Sequence, residues 1–281
     1  MKILACERTH SLETALAFVK AGHEFFEPKE ELLDVHTFDR ASLIQTIKDL
    51  KPDVLLCGLK FIIDQEIIDL GIRLVATRTT ATDHITGKVE IIKLVGEELT
   101  GVVAVPELCL WAMLELVRKR GGRELNGRTL GIIGNQGRIG NILNNMATYL
   151  GMRVLGQDIK DTDSERVSHA GKLDVILQSS DIISLNISSI EENRNFMNRA
   201  KFELMKDGSY FLNSSRGWLV EESALKWALE SSKLAGAWSD FPVGFEHPNL
   251  LITNHIGGST LESSLKTEEI IVNKLLKWLS K

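Results

Sequence analysis

The sequence predicts an α/β protein with two doubly wound parallel-sheet domains, on three observations. Short apolar runs of strand length alternate with segments of helical spacing along nearly the whole chain. That alternation builds parallel sheets with helices on both faces. The stretch Thr129-Leu-Gly-Ile-Ile-Gly-Asn-Gln-Gly-Arg-Ile-Gly140 joins an apolar strand to a helix through a glycine-rich turn. Such a turn lets backbone N–H groups and the positive end of a helix meet a pyrophosphate. A length of 281 residues corresponds to about two domains of roughly 150 residues.

The elements follow in order. Lys2–Cys6 opens as a strand, and Ser11 is placed to cap a helix that stops at Gly22, with Leu12, Ala15, Leu16 and Val19 at helical spacing. A weak strand is expected at Leu32–Val35. A helix follows at Ala41–Leu50, with Leu43, Ile44, Ile47 and Leu50 on one face. Lys51-Pro52 ends it, because proline brings no N–H to continue the ladder. Asp53–Cys57 and Arg73–Thr77 read as strands, with a helix at Ile62–Leu70 between them. Val105–Arg118 is apolar nearly all round, which predicts a helix buried on most sides. After the polar connector Arg118–Gly127, the second unit runs through strands at Leu130–Ile133, Val154–Gln157, Val175–Leu177, Ile182–Asn186, Ser209–Asn213, Leu234–Ser239 and Leu250–Thr253, with a helix at Glu221–Glu230. Ser259-Thr-Leu-Glu262 has capping-box spacing. The helix it opens carries Val272, Leu275, Leu276 and Leu279 on one apolar face.

Composition excludes several classes. A net charge of -5, with no block of Lys and Arg, argues against nucleic acid or an anionic membrane as partner. No apolar run approaches the roughly 20 residues of a membrane helix, and the chain starts as a strand without a signal-like segment, so the cytoplasm is expected. Cys6, Cys57 and Cys109 are far apart in apolar runs and read as buried thiols; the histidines show no metal-ligand spacing.

Four stretches carry chemistry. Gly134, Gly137 and Gly140 give G-x-x-G-x-x-G in place of the usual G-x-G-x-x-G. Either one residue is inserted after Gly134, or Asn135, a residue that visits left-handed conformations, stands for a glycine. Asp158 ends the next strand, 18 residues after Gly140. A carboxylate there accepts from an adenosine ribose and repels a 2′-phosphate, which favours NAD over NADP. Asn213-Ser-Ser-Arg-Gly217 presents Arg216 from a turn of small residues, a fork suited to a carboxylate and a neighbouring carbonyl. Asp240 and then His255, in Thr253-Asn-His-Ile-Gly-Gly258, follow the last two strands; histidine is the usual proton donor to a forming alkoxide. Singly, these are also an ordinary turn, a surface arginine and a packed histidine. Jointly they fall where open α/β sheets bind ligands.

In that order, the glycine loop, Asp-Ile-Ile-Ser-Leu-Asn186, Leu204-Met-Lys-Asp-Gly-Ser-Tyr-Phe-Leu-Asn-Ser-Ser-Arg-Gly217 and Thr253-Asn-His-Ile-Gly-Gly258 resemble the D-isomer-specific 2-hydroxyacid dehydrogenases over essentially the whole chain, as does Arg73-Leu-Val-Ala-Thr-Arg-Thr-Thr-Ala-Thr-Asp-His-Ile85. The resemblance implies two Rossmann- or flavodoxin-like domains. The dinucleotide domain (99–259) is inserted into the substrate domain (1–98 and 260–281), with the active site in the cleft between them. It implies hydride transfer between NAD(H) and a small 2-keto or 2-hydroxy acid, with Arg216 holding the substrate and His255 as acid/base. Gly134, Gly137, Arg138, Ile139, Gly140, Asp158, Asn186, Ser214, Ser215 and Asp240 would hold the cofactor. Arg78, Thr79, Thr80 and Ala81 would join Arg216 on the substrate.

Departures from the family pattern bear on the chemistry. The family glutamate that orients the histidine falls at Phe245, and Glu246, one residue on, is the candidate to replace it. Asn254 stands for a proline, Asn186-Ile-Ser188 for His-x-Pro, and Ala81 for a common glycine. The connector 118–127 is short, at a place that generally supports the homodimer the family leads one to expect. Three functions follow: a keto acid reductase; a catalytically weak NAD-binding regulator of the same fold; and, less favoured, oxidation of formate or phosphite. Lys60, near the end of a strand, is a candidate for an acidic substrate tail or a solvated loop residue.

Overall fold

The alternation of strands and helices forms two parallel sheets in the computed structural model, which describes residues 1–28, 40–99, 101–158 and 172–281. Contacts divide the chain into one unit of Met1–Val102 with Leu261–Lys281 and a second of Val103–Thr260.

The first unit contains β1 (Lys2–Ala5), β2 (Glu24–Phe26), β3 (Val54–Cys57), β4 (Leu74–Thr77) and β5 (Glu90–Lys93), all parallel, in the order β2-β1-β3-β4-β5. Ile3, Ala5, Val54, Leu56, Leu74 and Ala76 face a layer holding Phe18 of α1 (Leu12–Lys20) and Ile271, Val272 and Leu275 of α9 (Leu261–Leu279). Leu4, Cys6, Leu55, Cys57 and Val75 face Leu43 and Ile47 of α2 (Arg40–Leu50) and Ile67 and Ile68 of α3 (Gln65–Ile68). Burial on both faces is why the central strands read as unbroken apolar runs.

Some elements differ from the sequence reading. α1 starts at its expected cap, with Ser11 Oγ accepting from the Glu13 N–H at 3.1 Å, but it turns a different face inward. Leu12, Leu16 and Val19 are 82%, 53% and 59% exposed, whereas Thr14 and Phe18 are buried. Phe18 stacks on Phe25 with centroids 5.3 Å apart, and Thr14 Oγ1 donates to buried Glu268 at 2.6 Å. One aromatic anchor and one buried hydrogen bond outweigh the smaller apolar residues in setting the helix rotation. The helix expected over Ile62–Leu70 contracts to α3, capped by Asp64 Oδ1 accepting from the Ile67 N–H at 3.3 Å. β2 and β5 are edge strands of three and four residues, too short to show alternation. The strand expected at Leu32–Val35 lies outside the described residues.

The second unit holds a six-stranded parallel sheet, β11-β10-β9-β8-β6-β7. Its strands are β6 (Thr129–Ile133), β7 (Arg153–Gln157), β8 (Ile182–Leu185), β9 (Ser209–Asn213), β10 (Leu234–Ser239) and β11 (Leu250–Ile252). On one face lie α4 (Ala104–Met113) and α5 (Arg138–Tyr149), packing Cys109, Met113, Leu143 and Ala147 against Leu130, Ile132, Leu212 and Trp238. On the other, α6 (Leu173–Ser179), α7 (Arg199–Leu204) and α8 (Glu222–Glu230) cover Ile133, Ile183, Leu185 and Phe211. The expected helix Val105–Arg118 is α4 continued by wider π-helical turns over Leu114–Arg120, and Trp111 and Leu114 are exposed. Val175–Leu177, expected as a strand, belongs to α6, where Ile176 and Leu177 are buried and Val175 faces outward. An apolar run of three residues fits either period. Among the described residues no helix is long and apolar enough to cross a membrane.

Candidate active site

Because all strands of the second sheet are parallel, their C-terminal ends share one edge, and the candidate residues of this unit lie along it. β6 passes into α5 through Gly134–Gly137. Gly134 sits at φ +88°, and a Cβ there would overlap the carbonyl of Asn186 beyond β8. Asn135 is not left-handed, since it is absent from the positive-φ residues. Gly134 is therefore the first glycine of the loop, and the extra residue follows it. The buried Asn135 takes up that residue by lying over Gly156 of β7, where a Cβ would come within 2.8 Å of the Asn135 Cβ. The next N–H, of Gln136, donates to Asp158 Oδ2 at 3.1 Å, so the carboxylate at the end of β7 faces the loop.

These residues fit a dinucleotide. A Cβ at Gly140 would overlap Gly134 O, so loop and helix meet closely only because both are glycine. α5 opens at Gly137 with no side-chain cap on its first N–H groups, which an anion satisfies well. Arg138 stands in that first turn, where the helix dipole disfavours a cation, and burial pulls its guanidinium below its ordinary value. An anion would offset both costs. Asn135 Oδ1 is a buried acceptor with no hydrogen-bond partner among the described residues.

Asn213 shapes the turn that carries Arg216. Its Oδ1 accepts from the Ser215 N–H at 3.0 Å and its Nδ2 donates to Arg216 O at 2.9 Å. Ser214 Oγ donates to Asn186 Oδ1 at 2.7 Å and Ser215 Oγ to Leu185 O at 3.0 Å, tying the turn to the end of β8. Asp240, 2% exposed, does the same for the histidine turn. Its Oδ1 accepts from Thr253 Oγ1 (2.7 Å) and the Ile256 N–H (2.9 Å), and its Oδ2 from the Gly257 N–H (2.9 Å). Its carbonyl accepts from the His255 N–H. These bonds hold Asn254 and His255 at φ +53° and +64°, which non-glycine residues adopt only where surroundings enforce it. The two turns meet on Phe241. The Arg216 Cζ lies 5.5 Å from the ring centre and the His255 ring centroid 4.6 Å from it.

Glu246 is not brought to this cluster. It is exposed, in a hollow with Phe245, His247 and Pro248, and makes no hydrogen bond or ion pair among the described residues. In the first unit, Thr79 Oγ1 donates to Ala81 O at 2.6 Å and pairs with Thr77 Oγ1 at 2.9 Å, shaping the Thr79–Ala81 turn; Thr80 is exposed. Arg78 is engaged within its own unit, with Nη2 2.7 Å from Glu7 Oε2 and Nη1 3.4 Å from Glu268 Oε2. Burial pushes the Glu268 carboxyl up, but hydrogen bonds from the His10 N–H and Thr14 and the charge of Arg78 outweigh it, leaving it below its usual range. The exposed Lys60 gives its backbone N–H to Glu7 Oε1 at 3.2 Å. Burial pushes the Cys57 and Cys109 thiols up to about 12 and Cys6 well up, which disfavours the thiolate in all three.

Phe241, Asn213 and Thr253 were missed as site residues from sequence. The Asn213-Ser-Ser pattern carries an asparagine-turn signal that would have found one of them. Phe241 carries no local signal.

Residues 111–257, just over half of the chain, match the family model described as D-isomer specific 2-hydroxyacid dehydrogenase, NAD binding domain. The chain is 36% identical to D-3-phosphoglycerate dehydrogenase of Escherichia coli (strain K12) over 66% of this chain and 49% of that enzyme. It is 34% identical to hydroxypyruvate reductase of Blautia hydrogenotrophica over 62% of this chain and 55% of that one. D-3-phosphoglycerate dehydrogenase 1 of Saccharomyces cerevisiae is 27% identical, over 100% of this chain and 67% of that enzyme. The chain thus spans between about half and two thirds of these relatives' lengths. The fold is similar to NAD+-bound 3-phosphoglycerate dehydrogenase of Entamoeba histolytica, with a TM-score of 0.81 at 22% identity, over 100% of this chain and 96% of that one. The chain belongs to the D-isomer-specific 2-hydroxyacid dehydrogenase family, and residues 111–257 form its NAD-binding domain.

Proposed function

We propose that this protein reduces a small 2-keto acid to the D-2-hydroxy acid, using NADH. The observation that carries the reading is the meeting of Arg216 and His255 on one ring, at the sheet edge that also bears the glycine loop. NADH, when bound, would supply the hydride that adds to C2 of the keto acid. As that bond forms, the carbonyl π electrons move onto oxygen. Arg216 stabilises the developing charge with its fork and holds the neighbouring carboxylate. The His255 imidazolium gives its proton to that oxygen, leaving neutral imidazole and a hydroxyl. Asp240 holds the histidine turn through its four bonds. Asp158 would accept from the adenosine ribose and so favour NAD over NADP. The names of the relatives make hydroxypyruvate and 3-phosphohydroxypyruvate the first substrates to test, with glyoxylate and pyruvate beside them. The experiment is NADH oxidation across this panel; absence of turnover with every acid overturns the proposal.

One observation favours a second reading. Glu246, the candidate to orient His255, is exposed and makes no ion pair among the described residues, as a weakly catalytic NAD-binding regulator would tolerate. Micromolar NADH binding in calorimetry without turnover of any acid supports that alternative.

A further inference from the structure

Arg216 and His255 both contact Phe241, whose own hold on the fold is firm. The residue is buried, 7% exposed. Ser239 Oγ accepts from the Phe241 N–H at 3.1 Å and donates to the Phe241 carbonyl at 2.8 Å, a double clasp that fixes the backbone bearing the ring. The Arg216 guanidinium carbon, 5.5 Å from the ring centre, is within the roughly 6 Å over which an aromatic face attracts a cation. The His255 ring, at 4.6 Å and tilted 48°, lies at a favourable distance for aromatic contact. When protonated it is a second cation drawn to the same quadrupole. Arg216 and His255 come from different turns, after β9 and after β11, and Phe241 follows β10, the strand between them. The ring is thus a contact shared by two side chains that reach it from different turns.

We propose that Phe241 is a positioning residue that aligns the Arg216 fork and the His255 imidazole on one substrate carbonyl. It is an aromatic shelf that acts on both groups by packing and cation attraction. The inference rests on the reduction proposed above, because alignment matters only if both groups act on one oxygen. An aromatic shelf fixes the place of both groups at once, whereas a carboxylate would orient the histidine alone. Its loss must therefore reach substrate holding, through Arg216, and proton delivery, through His255, together.

The test uses the full chain with Phe241→Leu, Phe241→Tyr and Ser239→Ala. The first readout needs neither cofactor nor substrate: the NMR signals of the His255 ring protons, assigned by their loss in His255→Gln. In the wild type they are displaced by the Phe241 ring current; in Phe241→Leu they move to ordinary imidazole positions, and in Phe241→Tyr they stay. The second readout is kinetic, with NADH and hydroxypyruvate. Phe241→Leu is expected to raise KM and lower kcat, each by about tenfold, with NADH affinity unchanged, and Phe241→Tyr to restore both. Ser239→Ala, which loosens the shelf without removing the ring, shifts both parameters a few-fold in the same direction and serves if the leucine variant fails to fold. A merely structural role predicts a lower melting temperature and a smaller active fraction with KM unchanged, and that result overturns the proposal. Ring signals that are identical in wild type and Phe241→Leu overturn it too. A wild type that turns over no keto acid defeats the proposed reduction, while the ring signals still decide whether Phe241 holds His255.

Discussion

Replacing Gly134 with alanine would impose two separable costs on the cofactor loop, and neighbouring glycines isolate each. The first is backbone strain: at φ +88° an L side chain crowds its own carbonyl, for about 1–2 kcal/mol. The second is crowding. The new Cβ would stand 2.8 Å from the Asn186 carbonyl carbon, well inside the optimal ~3.5–4.0 Å between carbon atoms, and overpacking against backbone costs about 1–3 kcal/mol. Gly127, at φ +74° with nothing within 4 Å of a Cβ, carries strain alone. Gly140, in the first turn of α5, carries crowding alone, its Cβ falling 2.7 Å from the Asn135 Cα. The expected destabilisations are therefore about 1–2 kcal/mol for Gly127→Ala, about 1–3 for Gly140→Ala and about 2–5 for Gly134→Ala. Urea unfolding followed by tryptophan fluorescence reads them out, because Trp111, Trp218, Trp227 and Trp238 lie in the second unit and Trp278 in the first. NADH affinity measured on the same variants should fall at least about tenfold for Gly134→Ala and Gly140→Ala, if the loop cradles the pyrophosphate, and stay level for Gly127→Ala. A Gly134→Ala protein as stable as Gly127→Ala, or one that keeps wild-type NADH affinity, refutes the close-approach reasoning.

Other outcomes follow from the same geometry. Asp158→Ala removes the acceptor at the end of β7 and should narrow the preference for NADH over NADPH; titration of both cofactors by fluorescence checks this, and an unchanged ratio assigns the preference elsewhere. Asp240→Asn loses the charge that the 253–257 turn donates to, so kcat with hydroxypyruvate should fall by about tenfold or more while NADH still binds. Glu268 has a depressed folded-state value, so it contributes stability that is present above its unfolded value of about 4.3 and is lost as pH falls through the folded value. Melting temperatures of wild type and Glu268→Gln should then converge as pH falls below that unfolded value; a gap that does not narrow on acidification contradicts this.

How far the sequence reaches is decided by what each residue's role depends on. The central strands, such as Val54–Cys57, and the glycine turn were legible because burial on both faces and a tight backbone approach leave local patterns. Arg216, Asp240 and His255 stand out as candidates because each sits just past a strand. The inward face of α1 was not, because it depends on Phe25 and Glu268, which come from distant positions. Val175–Leu177 failed as a strand because three apolar residues carry no period. Phe241 was invisible because its role exists only once β9, β10 and β11 lie side by side. The irregular glycine spacing lay between: the sequence left two alternatives, and the backbone at Gly134 and Asn135 decided between them.

The central claim is that Arg216 and His255 act on one keto acid carbonyl while the glycine loop holds NADH. Its most direct test is single-turnover stopped flow, with protein in excess of NADH and hydroxypyruvate or 3-phosphohydroxypyruvate added, comparing wild type, Arg216→Ala and His255→Gln. The account predicts NADH oxidation in the wild type, slowed about 10²–10³-fold in Arg216→Ala and about 10²-fold or more in His255→Gln, with NADH bound equally by all three. Undiminished oxidation in both variants, or NADH bound by the wild type and never oxidised, would contradict it.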